Sequence, residues 1–145
     1  MMTLTVSSHG VGVTTDHRVA DGLEITTTER MPGNTVQALN PMETILAALN
    51  GCLVVVASMV ARQHGWELEA INVRSRGLFD PRAVMGEAAF ATTFERIVTE
   101  VTVTGSLTAQ EVALLAGEVE RRCPVQTLLR RANVPTESTW RGAVV

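Results

Sequence analysis

The sequence predicts an α+β domain. Three observations carry this: Thr/Val-rich stretches on both sides of residue 40, one long apolar helix pattern from Pro41 to His64, and a second helix pattern opened by a capping box at Thr108. Strands and helices come in blocks, without the regular alternation that builds a wholly parallel sheet. The 145 residues suffice for one domain over 1–145, with no internal repeat and no linker composition.

The first strands are expected in TLTVSS (3–8) and VGVTT (11–15), and LEITTT (23–28) follows the turn signal Ala20-Asp21-Gly22. Residues 31–39 read as a loop punctuated by Pro32-Gly33. Asn40 then suits an N-cap, Pro41 the first helical position and Glu43 the third, a capping-box start. Arg62-Gln63-His64-Gly65 supplies the matching end, with cationic side chains followed by a left-handed cap. Such a helix is about 36 Å long.

From Ile45 to Ala61 its only polar side chains are Asn50 and Ser58. That run is shorter than the roughly 20 apolar residues of a membrane span. A helix apolar all round, with caps of this kind, is expected to be surrounded by protein rather than lipid. In so small a chain, that burial calls for a second subunit.

Beyond Gly65, residues 66–79 alternate as a strand, 80–88 form a loop, and 90–105 read as one long strand or two. Thr108 and Glu111 make a capping box before a helix over 109–122. Cys123-Pro124 interrupts it, a short helix restarts over 124–133, and the tail is strand or extended.

Composition narrows the functional classes. A chain that is 46% hydrophobic and 19% charged is globular. Its net charge of -3, without a basic stripe, gives no footprint for nucleic acid. Every basic residue other than histidine is arginine, which removes lysine Schiff-base chemistry. His9, His17 and His64 are scattered without ligand spacing, so neither a metal nor a cofactor is expected. The N-terminus carries no signal-peptide pattern. Two cysteines far apart argue against a secreted disulfide scaffold, and the cytoplasm is the expected location.

The cysteines themselves read differently. Cys123 precedes Pro124 as N-cap of PVQTLLRR, where free N–H groups and the helix dipole favour a thiolate, with Arg121 and Arg122 alongside. It also reads simply as the cap of a bend. Cys52 lies mid-helix among apolar residues, a setting that suits a small core side chain unless a cation approaches. Gly51 costs helix stability and marks close approach by another element. Asn50 either bonds to a facing strand or lines a pocket. The candidate cations are Arg18, Arg30, Arg121 and Arg122.

Together, NPMETILAALNGC ending at Cys52 and CPVQTLL beginning at Cys123 resemble the two cysteine segments of the OsmC/Ohr family of osmotically inducible and organic hydroperoxide resistance proteins, and in particular its broad OsmC-like branch. The resemblance implies an OsmC-like fold: antiparallel sheets around a long buried central helix, in an intertwined homodimer with a site at the subunit interface. It implies a peroxidase in which Cys52 attacks the peroxide and becomes a sulfenic acid. Cys123 then closes a disulfide that a dithiol reductant reopens.

The family's activating Arg has its nearest matches here in Arg18 and Arg30. Its Glu, ten residues before the cysteine, is replaced by Met42, and the carboxylate falls one place later at Glu43. Ten helical positions bring two side chains within about 80° of one another, whereas nine set them about 180° apart. Glu43 is therefore expected to cap the helix rather than to serve Cys52.

The leading expectation is thus a cysteine peroxidase for organic hydroperoxides, with Cys52, Cys123 and Arg18 catalytic and Met42, Asn50, Gly51 and Arg30 around the pocket. The alternative is a non-enzymatic protein that binds a small apolar ligand at the dimer interface, with Met42 softening the pocket mouth. A purely structural dimerisation domain is the third possibility.

Overall fold

The structure, a computed structural model, describes residues 1–87 and 89–143. The chain divides into two units, Met1–Ala47 and Ala48–Val145.

In the first unit, β1 (Val6–Val11), β2 (Thr14–Val19) and β3 (Glu24–Thr28) form an antiparallel meander. The strand expected across 11–15 is split. Gly12 takes a positive φ of 62°, and the chain reverses there to pair Val11 with Thr14. Thr/Val content signals a strand on either side of a hairpin equally well, so the turn was the weaker cue.

Thr28, only 1% exposed, ties down the loop that follows. Its hydroxyl meets Thr14 Oγ1 at 2.7 Å and accepts from Asn34 Nδ2 at 2.7 Å, while its N–H donates to Leu39 O at 3.0 Å. The loop therefore returns along β3, with a parallel bridge between Thr27 and Leu39. It delivers Asn40 to the start of α1 (Pro41–His64). The capping box there is complete: Glu43 N–H donates to Asn40 Oδ1 at 2.7 Å, and Asn40 N–H donates to Glu43 Oε2 at 3.0 Å.

In the second unit, α1 buries Leu49, Leu53, Val56, Ala57, Val60 and Ala61, the 3–4 spacing of one helix face. Val55 and Met59 remain 53% and 55% exposed. The helix expected to be surrounded by protein is thus covered by its own chain on one face. By length and composition alone it is also long and apolar enough to cross a membrane. It ends as predicted: Gly65 has φ 72°, and Trp66 N–H reaches back to Ala61 O at 2.9 Å.

β4 (Leu68–Leu78) and β5 (Arg96–Gly105) pair antiparallel. β6 (Thr136–Ala143) joins β5 in parallel, because α2 (Ala109–Arg122) and α3 (Pro124–Arg131) carry the chain back to the same end of the sheet. The expectation of antiparallel sheets thus holds for β1 to β5, with this one parallel edge added. Ile97, Val101 and Val103 of β5 are buried, as are Val112, Leu115 and Val119 of α2. Each such side chain contributes on the order of 1.5–3 kcal/mol. The Thr108–Glu111 capping box opens α2 as predicted. The last residue of the expected 80–88 loop and the final two of the tail lie outside the described residues.

Candidate functional site

α1 carries Cys52 and the α2–α3 junction carries Cys123. The Cys123 thiol donates to Cys52 Sγ across 3.1 Å, and both are free thiols. A disulfide, at about 2.05 Å, needs roughly a further 1 Å of closure. The two sulfurs differ in exposure: Cys52 is half-buried, whereas Cys123 has 0% exposed surface.

Cys123 links two helices. Its N–H closes α2 onto Val119 O at 2.8 Å, and its sulfur accepts the Gln126 N–H at 3.5 Å as N-cap of α3, with Pro124 in the first turn. The N-cap was legible in the sequence; the thiolate expected from it is not what this environment favours. Burial pushes the Cys123 thiol up from 9.0 to about 11, against the lowering by the Gln126 N–H, and contact with Cys52 adds to the rise. Cys123 is therefore protonated at neutral pH. Arg121 and Arg122 do not reverse this, because Arg121 pairs with Glu118 at 2.6 Å and Arg122 bonds to Gln63 Oε1 at 2.7 Å.

Asn50 bonds to the facing sheet rather than standing free. Its Oδ1 accepts from Ser75 Oγ at 2.6 Å, and Ser75 Oγ lies 2.9 Å from Thr99 Oγ1. Ser75 spends its one hydroxyl hydrogen on Asn50, so Thr99 is the donor to Ser75. At Gly51, a Cβ meets nothing within 4 Å among the described residues, so the close approach expected there is not made within this chain.

The other candidates fall in the first unit. Arg18 Nε donates to Glu24 Oε1 at 2.6 Å across β2 and β3. Arg30 grips Glu43 with both Nη groups, at 2.8 and 2.9 Å. This fork, not foreseen from the sequence, holds the Glu43 carboxyl below its ordinary range, with the Asn40 N–H as the second cause. Arg30 also sits on a cavity of about 770 Å³ formed by the 30–39 loop with Met31, Asn34, Val36 and Leu39. Met42, half-buried, follows Pro41 in the first turn of α1.

Of the histidines, His17 bridges Ser8 Oγ at 2.8 Å and Thr27 Oγ1 at 2.9 Å, and His64 stacks on Trp66 at 4.4 Å. Sequence reasoning also missed Gln126, whose side-chain Oε1 is buried one turn after Cys123 without a hydrogen-bond partner among the described residues. A polar residue in an apolar helix stripe was its only signal.

Residues 32–139, which include both cysteines, match the family described as OsmC-like protein. The chain belongs to the OsmC/Ohr family. Solved OsmC/Ohr structures share its fold end to end. An OsmC-like protein from Mycoplasma pneumoniae superposes with a TM-score of 0.81 at 14% identity, over 99% of this chain and 98% of that one. The organic hydroperoxide resistance protein OsmC from Legionella pneumophila gives 0.68 at 20% identity, over 97% of each. The organic hydroperoxide resistance protein OhrB of Bacillus subtilis gives 0.65 at 19% identity, over 97% and 98%. No curated protein matches the chain by sequence.

Proposed function

We propose that this OsmC/Ohr protein is a thiol-dependent peroxidase for organic hydroperoxides. The observation that carries the proposal is the sulfur pair: a half-buried Cys52 whose sulfur lies 3.1 Å from a buried, protonated Cys123. Membership of a family in which solved relatives are called organic hydroperoxide resistance proteins supports the substrate class.

In the proposed cycle the Cys52 thiolate attacks the terminal peroxide oxygen. The O–O bond breaks, the alkoxide takes a proton and leaves as alcohol, and Cys52 becomes a sulfenic acid. Cys123 sulfur then attacks Cys52 sulfur, and the hydroxide leaves as water with the Cys123 proton. A dithiol reductant restores both thiols. Arg18 or Arg30 is the proposed cation for Cys52, and no metal or cofactor enters.

A homodimer is part of the proposal. The exposed Val55 and Met59 of α1, and an apolar cup of about 300 Å³ lined by Val6, Val19, Leu23 and Ile25, offer surface for a second copy. The cytoplasm, which keeps thiols reduced, is the proposed compartment, with no part for membrane or nucleic acid. The same cup favours a second reading, non-catalytic binding of a small apolar ligand, which native mass spectrometry of the purified protein checks.

The direct test is turnover of cumene hydroperoxide with dithiothreitol as reductant. Consumption faster than with dithiothreitol alone, lost in Cys52→Ser, is the expected result. A rate equal to that of the buffer control counts against the peroxidase.

A further inference from the structure

The two sulfurs that the proposed cycle joins differ in what can reach them. Cys123 has 0% exposed surface, and its backbone is bound on both sides: its N–H to Val119 O at 2.8 Å, and its carbonyl to the Thr127 N–H at 3.0 Å. A nucleophile gains that sulfur only when the packing that covers it opens. Cys52 keeps exposed surface. Exchange depends on which sulfur is accessible as well as on how readily the other departs.

We infer that the dithiol reductant attacks the Cys52 sulfur, so that the mixed disulfide forms on Cys52 and Cys123 is the leaving thiol. The inference rests on the peroxidase reading for the place of the disulfide in a cycle. One reductant thiolate forms a bond to Cys52 Sγ. The Cys52–Cys123 bond breaks, and its electron pair goes to Cys123 Sγ, which takes up a proton. The second reductant thiol then displaces Cys52 as thiolate, closing the reductant's own disulfide.

Two effects oppose each other at the departing sulfur. Its position as N-cap meets developing negative charge with the Gln126 N–H and the positive end of α3. Burial makes Cys123 a more basic thiol, and a more basic thiol leaves more slowly. Access decides between the two directions of attack. A poor leaving group lowers the rate, whereas a sulfur without surface is not attacked at all while the fold stays closed.

The test forms the disulfide with diamide rather than with a peroxide, then adds glutathione as a monothiol probe. Exchange is quenched in acid, freed thiols are alkylated under denaturing conditions, and a non-reducing peptide map locates the adduct. The expected result is at least about tenfold more glutathione on Cys52 than on Cys123, with Cys123 alkylated. Glutathione on Cys123, an even division, or no Cys52–Cys123 disulfide after diamide overturns the inference. An adduct on Cys123 leaves the peroxidase reading standing. Conversely, inertness toward peroxide defeats that reading while the direction of exchange is still measured.

Discussion

Cys123 Sγ lies 3.1 Å from Cys52 Sγ although 71 residues separate the two in sequence. One sulfur has surface and the other has none, so under the proposed function Cys52 is the sulfur that meets substrate and Cys123 the one that resolves it. Replacing either therefore has different consequences. Cys52→Ser should reduce hydroperoxide turnover to the uncatalysed level. Cys123→Ser should still react once, leaving a sulfenic acid on Cys52 that dimedone traps, and should form no intramolecular disulfide on peptide mapping.

Burial of Cys123 also predicts a pH dependence of stability. Its thiol titrates at about 11 in the folded chain against 9.0 as the ordinary value. Between those values the folded state holds the proton that the unfolded state has lost, so stability falls as pH rises. The contribution is fully present below pH 9 and declines by up to about 1.4 kcal/mol per pH unit through that window. Urea midpoints of wild type and Cys123→Ser, measured in parallel from pH 8 to 11, should diverge with that slope. Parallel curves contradict it.

At the opposite end of α1, Asn40→Ala removes the acceptor of the Glu43 N–H and should cost about 1 kcal/mol. Arg30, with the Asn40 N–H, holds the Glu43 carboxyl below its ordinary range. A depressed carboxyl contributes stability above the ordinary carboxylate pKa and loses it as pH falls through the folded value. Glu43→Gln should therefore be less stable than wild type near neutrality, and the difference in melting temperature should shrink in acid.

The chain Thr99–Ser75–Asn50 fixes α1 to the sheet through part-buried groups. Ser75→Ala strands two polar partners at once, and a cost of about 1–3 kcal/mol is expected. Adding Asn50→Ala to that variant should cost less than Asn50→Ala does alone, because one partner is already lost. Thermal melts of the two single variants and the double variant measure the coupling.

The helix ends were legible because caps are local chemistry. Asn40 with Glu43, Thr108 with Glu111, and Gly65 after His64 all act within a few residues of one another. Pairings set by the third dimension were not legible. The Arg30–Glu43 fork depends on how the 31–39 loop returns along β3, and the parallel β5–β6 edge depends on where α3 releases the chain. At the site, local sequence marked Cys123 as an N-cap and stopped there. Packing around the α2–α3 junction buries it, and burial outweighs the cap. The juxtaposition with Cys52 came from likeness to a family, since no periodicity links two residues so far apart.

The central claim is that these two sulfurs form a peroxide-driven redox pair. One equivalent of cumene hydroperoxide added to the reduced protein, followed by intact-mass analysis and a non-reducing peptide map, tests it most directly. The account predicts the loss of two hydrogens per chain and a single cross-linked peptide joining Cys52 to Cys123. Unchanged mass, or oxygen retained on Cys52 with Cys123 still a free thiol, contradicts it.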